Sequence, residues 1–336
     1  MAITITVFRL CSLLIFLSLY PSVSLSDRCN PKDKKVLLQI KKDLNNPYLL
    51  ASWDPDTDCC TWYSVDCDLK THRIISLVIK DSTIPDTNFS AQIPPSVGDL
   101  PYLESLVFHN LPNLTGSIPP AITKLTHLKS LWIFWTNLSG PVPSFLSQLK
   151  NLTFLDLSFN NLTGSIPPSL SELPNLDALH LDRNKLTGSI PDSFGSFKKV
   201  PNLYLSHNQL TGTIPASLGK LDFNIIDLSR NKLQGDASIL FGSNKTTLMI
   251  DLSRNSLTFD LTKVEFPKSL TNLDLNHNNI SGSLPAGLTA LNLQLFNVSY
   301  NRLCGQIPVG GELQSFDIYS YFHNKCLCGS PLPACK

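Results

Sequence analysis

The stretch LDLSFNNLTGSIP, Leu155–Pro167, returns twenty-four residues later as LHLDRNKLTGSIP, Leu179–Pro191, and again as LYLSHNQLTGTIP, Leu203–Pro215. The leucines, the asparagine and the LTGxIP tail keep their places, whereas Asp156 gives way to His180 and then to Tyr204. In x-x-L-x-L-x-x the leucines alternate with variable residues, the period-two pattern of a strand with one buried face. The repeated half is therefore scaffold, and the changing half is surface.

Aligning outward on the asparagine gives Asn160, Asn184, Asn208, Asn231, Asn255, Asn278 and Asn301, at steps of 23 or 24, with Thr136 in the preceding slot. Leucine, isoleucine or phenylalanine-type residues recur three, five and eight positions before each, though Thr247 fills one such slot and Val200 another. This is the leucine-rich-repeat pattern L-x-x-L-x-L-x-x-N-x-L. It predicts an α/β solenoid, a right-handed leucine-rich-repeat superhelix with a concave parallel β-sheet. One repeat cannot bury its leucines alone, so neighbours stack and share a core. The asparagine amide is expected to satisfy backbone groups of the adjacent coil, as a ladder along the solenoid. Ten repeats of about 24 residues run over 74–313, beginning with the degenerate copy IISLVIKDSTIPDTNFSAQIP.

The solenoid's ends need covers. Residues 1–26 carry one basic residue, Arg9, an apolar run over Leu10–Leu19 and small residues at Ser24 and Ser26. That layout predicts a secretory signal peptide; the apolar run is too short to span a bilayer, which takes roughly 20 residues. Of nine cysteines, Cys11 leaves with the signal. The remaining eight fall into two quartets, Cys29, Cys59, Cys60 and Cys67 before the repeats, and Cys304, Cys326, Cys328 and Cys335 after them. An even count in an exported chain implies disulfides, and neither quartet has paired zinc-ligand spacing. Residues 27–73 form an N-terminal cysteine cap. There NPKDKKVLLQIKKDL reads as an amphipathic helix starting at Asn30–Pro31, with Val36, Leu37, Ile40 and Leu44 on one face and Trp53 and Trp62 in the cap core. Residues 314–336 form the C-terminal cap. Loss of Arg9 lowers the 27 Lys plus Arg to 26, equal to the 26 Asp plus Glu. A chain without basic excess is a poor nucleic-acid binder, and no segment is apolar enough to serve as a membrane span.

The variable positions line the concave face. Four residues before the asparagine slot the column reads Val78, Val107, Trp132, Asp156, His180, Tyr204, Asp227, Asp251, Asp274 and Asn297. Two before, Phe134 and Asp182 stand among serines; one before, at the strand exit, come Trp135, Phe159, Arg183, His207, Arg230, Arg254, His277 and Tyr300. The aromatics Trp132, Phe134, Trp135 and Phe159, with Phe154 nearby, suit a protein-binding hot spot. Asp227, Asp251 and Asp274, with Asp156 and Asp182 upstream, form an acidic strip on strands about 4.8 Å apart, suited to basic groups. Arg183, Arg230 and Arg254 offset part of its charge. Carboxylates this close also evoke a retaining glycosidase, and His180 or His207 near Ser206 a triad. All are periodic fillers on an open face without a nucleophile elbow, so the chain is expected to be no enzyme and to need no cofactor or metal. Sequons at Asn88, Asn113, Asn137, Asn151, Asn161, Asn244, Asn279 and Asn297 predict a glycoprotein.

With its LxGxIP tails, its DCC and its closing stretch NVSYNRLCGQIPVGGELQSFDIYSYFHNKCLCGSPLPACK, the chain closely resembles plant polygalacturonase-inhibiting proteins over essentially its whole mature length. RCNPKDKKVLLQIKKDL and LKNLTFLDLSFNNLTG point the same way. The resemblance implies a secreted, extracellular glycoprotein of the cell wall, or apoplast, that binds fungal endo-polygalacturonase through its concave face. It limits pectin cleavage in plant defence and lets longer oligogalacturonides persist. It also implies disulfides in sequence order, Cys29–Cys59, Cys60–Cys67, Cys304–Cys326 and Cys328–Cys335. Two departures fall on the N-terminal half of the face. LWIFWTNLSG stands where LRLSWTNLSG is usual, placing Trp132 and Phe134 for a basic and a small polar residue, and the first repeat is long. Alternative expectations are a soluble extracellular recognition module, an ice-binding relative, or direct binding of pectin or oligogalacturonide by Lys and Arg.

Overall fold

The computed structural model describes residues 28–80 and 90–336. The signal peptide with Arg9 and Cys11, the sequon Asn88 and the middle of the long first repeat lie outside them.

The chain enters through helix α1, Pro31–Asp43, whose N-cap Asn30 accepts a hydrogen bond from the Lys32 N–H, with Pro31 in the first turn. Leu37, Ile40 and Leu44 are buried, Val36 only in part. The helix also buries Asp33, 2% exposed, which receives Arg73 through Nε and Nη2 at 2.8 Å each and the Ile74 N–H. Trp53 stacks on Trp62 at 5.7 Å, both buried, as cap core. All four disulfides pair in sequence order, two within the N-terminal cap, one within the C-terminal cap and one, Cys304–Cys326, between the last repeat and that cap.

An eleven-stranded sheet follows, and its order is sequence order. Strand β1, Val65–Cys67, pairs antiparallel to β2, Ile74–Lys80, and so joins cap to solenoid. The next strands are all parallel: β3 Ser105–Leu111, β4 Ser130–Thr136, β5 Phe154–Asp156, β6 Ala178–His180, β7 Asn202–Tyr204, β8 Ile225–Asp227, β9 Met249–Asp251, β10 Asn272–Asp274 and β11 Leu295–Asn297. The alternating leucines point inward, and Leu155, Leu157, Leu179, Leu181, Leu203 and Leu205 are fully buried. After each strand from β2 to β10 the coil carries a short 3₁₀ helix. In the IPP-tailed coils the second proline starts it, as in Pro95–Asp99, Pro120–Lys124 and Pro168–Glu172. Narrow strands inside and wider helices outside place the long sheet on the concave side. The LTG segments pair as small flank sheets, for example Ser139–Pro141, Asn161–Ser165 and Lys185–Thr187. Gly188 turns there at φ 77°, which glycine adopts without steric cost.

The asparagine ladder forms as the sequence predicts. The Asn208 Oδ1 accepts the Leu186 N–H, and its Nδ2 donates to the carbonyls of Leu181, Leu205 and Ser206. Asn160, Asn184, Asn231, Asn255, Asn278 and Asn301 repeat this pattern. One rung lies beyond the ten repeats. In the cap segment Asn324 accepts the Leu303 N–H and donates to the carbonyls of Val298 and Tyr321. Val298 and Tyr300 also donate to Ser320 and Phe322. The solenoid thus winds one coil past Leu313, and Cys304–Cys326 ties that coil to its neighbour.

A concave recognition surface

Parallel pairing aligns the variable column without a slip. Trp132, Asp156, His180, Tyr204, Asp227, Asp251, Asp274 and Asn297 are direct partners on successive strands. The N-terminal half of this face is aromatic. Trp132 stacks on Phe154 at 4.6 Å, and Phe134 stacks on His109 at 4.2 Å. Phe154 leads on to His180 and His180 to Tyr204, at 5.2 and 4.2 Å. Trp135 and Phe159 form a separate stack at the strand exits, 4.3 Å apart, with the Arg183 guanidinium 4.8 Å over the Phe159 ring. The predicted cluster is therefore two stacks, not one. Only Trp135 is freely exposed, at 51%; Trp132, Phe134 and Phe159 are half-buried against each other and their neighbours.

Asp156 departs from its predicted role. It is 7% exposed, pairs in register between Trp132 and His180, and spends Oδ1 on the Ser158 N–H. It shares a template with Asp227 and Asp251, but its aromatic neighbours cover it, so it offers almost no contact surface. Asp227, Asp251 and Asp274 each accept the N–H two residues on and remain half-exposed. Their crowding has a chemical cost. Burial, then the Asp156 charge, pushes the Asp182 carboxyl up to about 7. Burial, then Asp227, pushes Asp251 up to about 6, and burial also raises Asp274. Burial lowers His180, and burial with Arg183 and Arg230 lowers His207, so both imidazoles favour the neutral form.

The exit column holds a feature that residue types do not signal. Asn110, Trp135, Phe159, Arg183, His207, Arg230, Arg254, His277, Tyr300 and His323 all have φ between 52° and 57°. Non-glycine residues pay roughly 1–2 kcal/mol for this left-handed conformation. The ladder holds them there. Arg183, His207, Arg230, Arg254 and His277 each donate their N–H to the carbonyl of the next coil's Ser206, Ser229, Ser253, Asn276 or Ser299. Arg183, Arg230 and Arg254 are exposed, and with Asp182, His207, Asp227, Asp251 and Asp274 they line a groove of about 480 Å³.

A further column was missed from sequence. Two residues before the aspartates stand Ile225 and Met249, half-buried on the same face as Asp227 and Asp251. Period-two alternation from the aspartates would have found them. The sequons at Asn113, Asn137, Asn151 and Asn244 are exposed, and those at Asn161, Asn279 and Asn297 half-buried. The amides of Asn137 and Asn161 bond to each other on the flank, whereas Asn297 faces the groove side and accepts from Ser299. Among the described residues the one His, Cys, Asp and Glu group tight enough for a metal is Cys29, Cys59 and Cys60, and all three are in disulfides. No described helix is long and apolar enough to cross a membrane.

These features define a capped leucine-rich-repeat solenoid whose sheet carries an aromatic half and a charged half on its open face. Family models agree, with a leucine rich repeat N-terminal domain over residues 30–68 and leucine rich repeats over 150–210, 202–221 and 269–291. The chain is 67% identical over 326 residues to a polygalacturonase inhibitor of Pyrus communis, covering 97% of each. It is 66% identical over 325 residues to a polygalacturonase inhibitor of Vitis vinifera, covering 96% of each. A solved plant ice-binding protein superposes with a TM-score of 0.89 at 58% identity, over 92% of this chain and 99% of that one. The chain belongs to the polygalacturonase inhibitor family.

Proposed function

We propose that the protein is exported to the cell wall and inhibits fungal endo-polygalacturonases by laying its concave face over the enzyme's pectin cleft. It performs no chemistry itself; inhibition is occlusion. The observation that carries the reading is the aligned column, which joins an aromatic half around Trp132, Phe134, Phe154, His180 and Tyr204 to a carboxylate half at Asp227, Asp251 and Asp274. Half-buried aromatics supply contact area at low ordering cost, and the carboxylates steer toward the basic groups of a cleft that holds a polyanion. The relatives' names, polygalacturonase inhibitor in both Pyrus and Vitis, support the same activity. The test is reducing-end release from polygalacturonic acid by a panel of fungal endo-polygalacturonases. Dose-dependent loss of activity in a member is the expected result; no loss across the panel overturns the reading.

A second reading, ice binding, is supported by the 58% identical neighbour and by exposed hydroxyls at Thr163, Thr187 and Thr211 on the flank strands. Thermal hysteresis in a cooled solution of the protein tests it. The concave columns, mixed in size and charge, do not serve that function.

A further inference from the structure

The outer side of the solenoid dips over two coils. Its 3₁₀ helices are five residues long from Pro95–Asp99 to Ala216–Lys220 and again at Ala286–Ala290, but only three at Ser238–Leu240 and Leu261–Lys263. The sequence explains the break. Ala237-Ser238 and Leu261-Thr262 stand where the other coils keep an apolar residue followed by proline, so no proline presets the backbone that opens the longer helix. The shortened coils leave a depression of about 480 Å³ with Val264, Phe266 and Leu291 in its floor. Pro285, Gly287 and Ala290 border it, and nothing stands within 4 Å of where a Gly287 Cβ would be.

A loop is tied over its rim. The Ser243 hydroxyl lines the depression and donates to Glu265 at 2.6 Å, which fixes residues 242–244 to the coil that carries the floor. Next to it Asn244 is exposed and opens the sequon Asn244-Lys245-Thr246. Its carboxamide rests beside Gly242, where a Cβ would meet the oxygen at 2.8 Å and φ is 154°, a turn that glycine alone makes without strain. Among the described residues the Asn244 Nδ2 donates no hydrogen bond, whereas Asn151 and Asn161 spend theirs on the Thr126 carbonyl and on Asn137. Lys245 turns back onto its own coil, with Nζ 3.2 Å from the Ile239 carbonyl, and does not line the depression.

We infer that Asn244 carries an N-linked glycan whose first N-acetylglucosamine lies in this depression as a fixed cover. The chemistry matches. The sugar brings an apolar ring face and an acetyl methyl to Val264 and Phe266, and its hydroxyls accept from the exposed ammoniums of Lys263 and Lys268 at the edge. An apolar hollow with a few polar groups around it is the form a ligand site takes. A sugar attached beside it binds as a tethered ligand, at high effective concentration. The cover lies on the outer side and leaves the concave face open. The inference rests on export, which is part of the reading above, and not on inhibition.

The test uses the full chain secreted from a eukaryotic host that adds high-mannose glycans. Glycopeptide mass spectrometry reads occupancy at Asn244. Amide exchange over 263–266 and 288–291 is then compared in the intact glycoprotein, in the same protein trimmed to one N-acetylglucosamine per site, and in Asn244→Gln. Occupancy is expected, with exchange severalfold faster in Asn244→Gln and unchanged by trimming, which leaves the first sugar in place. A second comparison follows endoglycosidase cleavage at Asn244 on the folded wild type and on Gly287→Phe, whose ring takes up the depression. Cleavage is expected to be severalfold faster in the variant, because the glycan is displaced. Secreted protein with Asn244 bare, equal exchange with and without the glycan, or equal cleavage in the two proteins overturns the proposal and leaves the inhibitor reading intact. Wild-type chain retained in the cell defeats export and this proposal together. If Asn244→Gln is not secreted, the cleavage comparison, which does not need it, decides.

Discussion

The side-chain amide of Asn184 donates to the main-chain carbonyl of Leu157, 2.9 Å away in the preceding coil, while its oxygen accepts the Leu162 N–H. One buried side chain thus satisfies backbone groups on two coils. Replacement by leucine strands them without water, at about 1–3 kcal/mol per group. Asn184→Leu is expected to lower stability by roughly 2–5 kcal/mol in urea unfolding, with both coils losing amide-exchange protection. A loss under about 0.5 kcal/mol would show that packing alone holds the turn.

The carboxylate strip makes stability depend on pH. Folding raises Asp182 to about 7 and Asp251 to about 6 from an ordinary value of 3.8. A raised folded value means that the neutral carboxyl is favoured in the folded state. The stability these groups contribute is full below about pH 4 and is lost as pH rises through 6 to 7. Asp182→Asn and Asp251→Asn should therefore change the melting temperature little at pH 4 and raise it relative to wild type at pH 7.5. Equal gains at both pH values would locate the effect elsewhere.

Arginine at a φ of 53° separates scaffold from surface. Glycine at position 230 relieves the left-handed strain but loses more chain entropy on folding, and the two effects nearly cancel. Arg230→Gly is expected to shift the urea-derived stability by less than about 1 kcal/mol in either direction, while inhibition weakens severalfold. A large destabilisation would make the guanidinium structural.

How much of this was legible in the sequence varied from residue to residue. The leucine and asparagine positions were readable because buried strands and ladder turns tolerate few residue types, so their period survives every copy. The alignment of Asp227, Asp251 and Asp274 followed from the same period. The cover over Asp156 was not readable, because Asp-Leu-Ser is identical in the coils of Asp156, Asp227 and Asp251 and only the neighbours Trp132, Phe154 and His180 decide. The left-handed exits were hidden too, since Trp135, Phe159 and Arg183 are not residues that favour that backbone. The last coil escaped because Tyr321 fills a leucine slot, buried with its hydroxyl on the Leu313 carbonyl, and Tyr319 in the next slot is exposed.

The N-terminal cap rests on a buried ion pair. Asp33→Ala leaves Arg73 without its two 2.8 Å bonds and the Ile74 N–H without an acceptor. Removing one member of such a pair typically costs 3–5 kcal/mol. The expected result is early unfolding of α1 and β2, read by amide exchange, while the C-terminal coils stay protected.

The most direct test of concave-face inhibition compares variants on the two sides of the solenoid. Trp132→Ala and Asp227→Ala on the sheet, and Lys220→Glu on an outer 3₁₀ helix, are titrated against one sensitive endo-polygalacturonase, with melting temperatures measured in parallel. The sheet variants are predicted to need at least tenfold more protein for half-inhibition with unchanged melting, and the outer variant to match wild type. Full inhibition by both sheet variants, or loss of it in Lys220→Glu, would contradict the account.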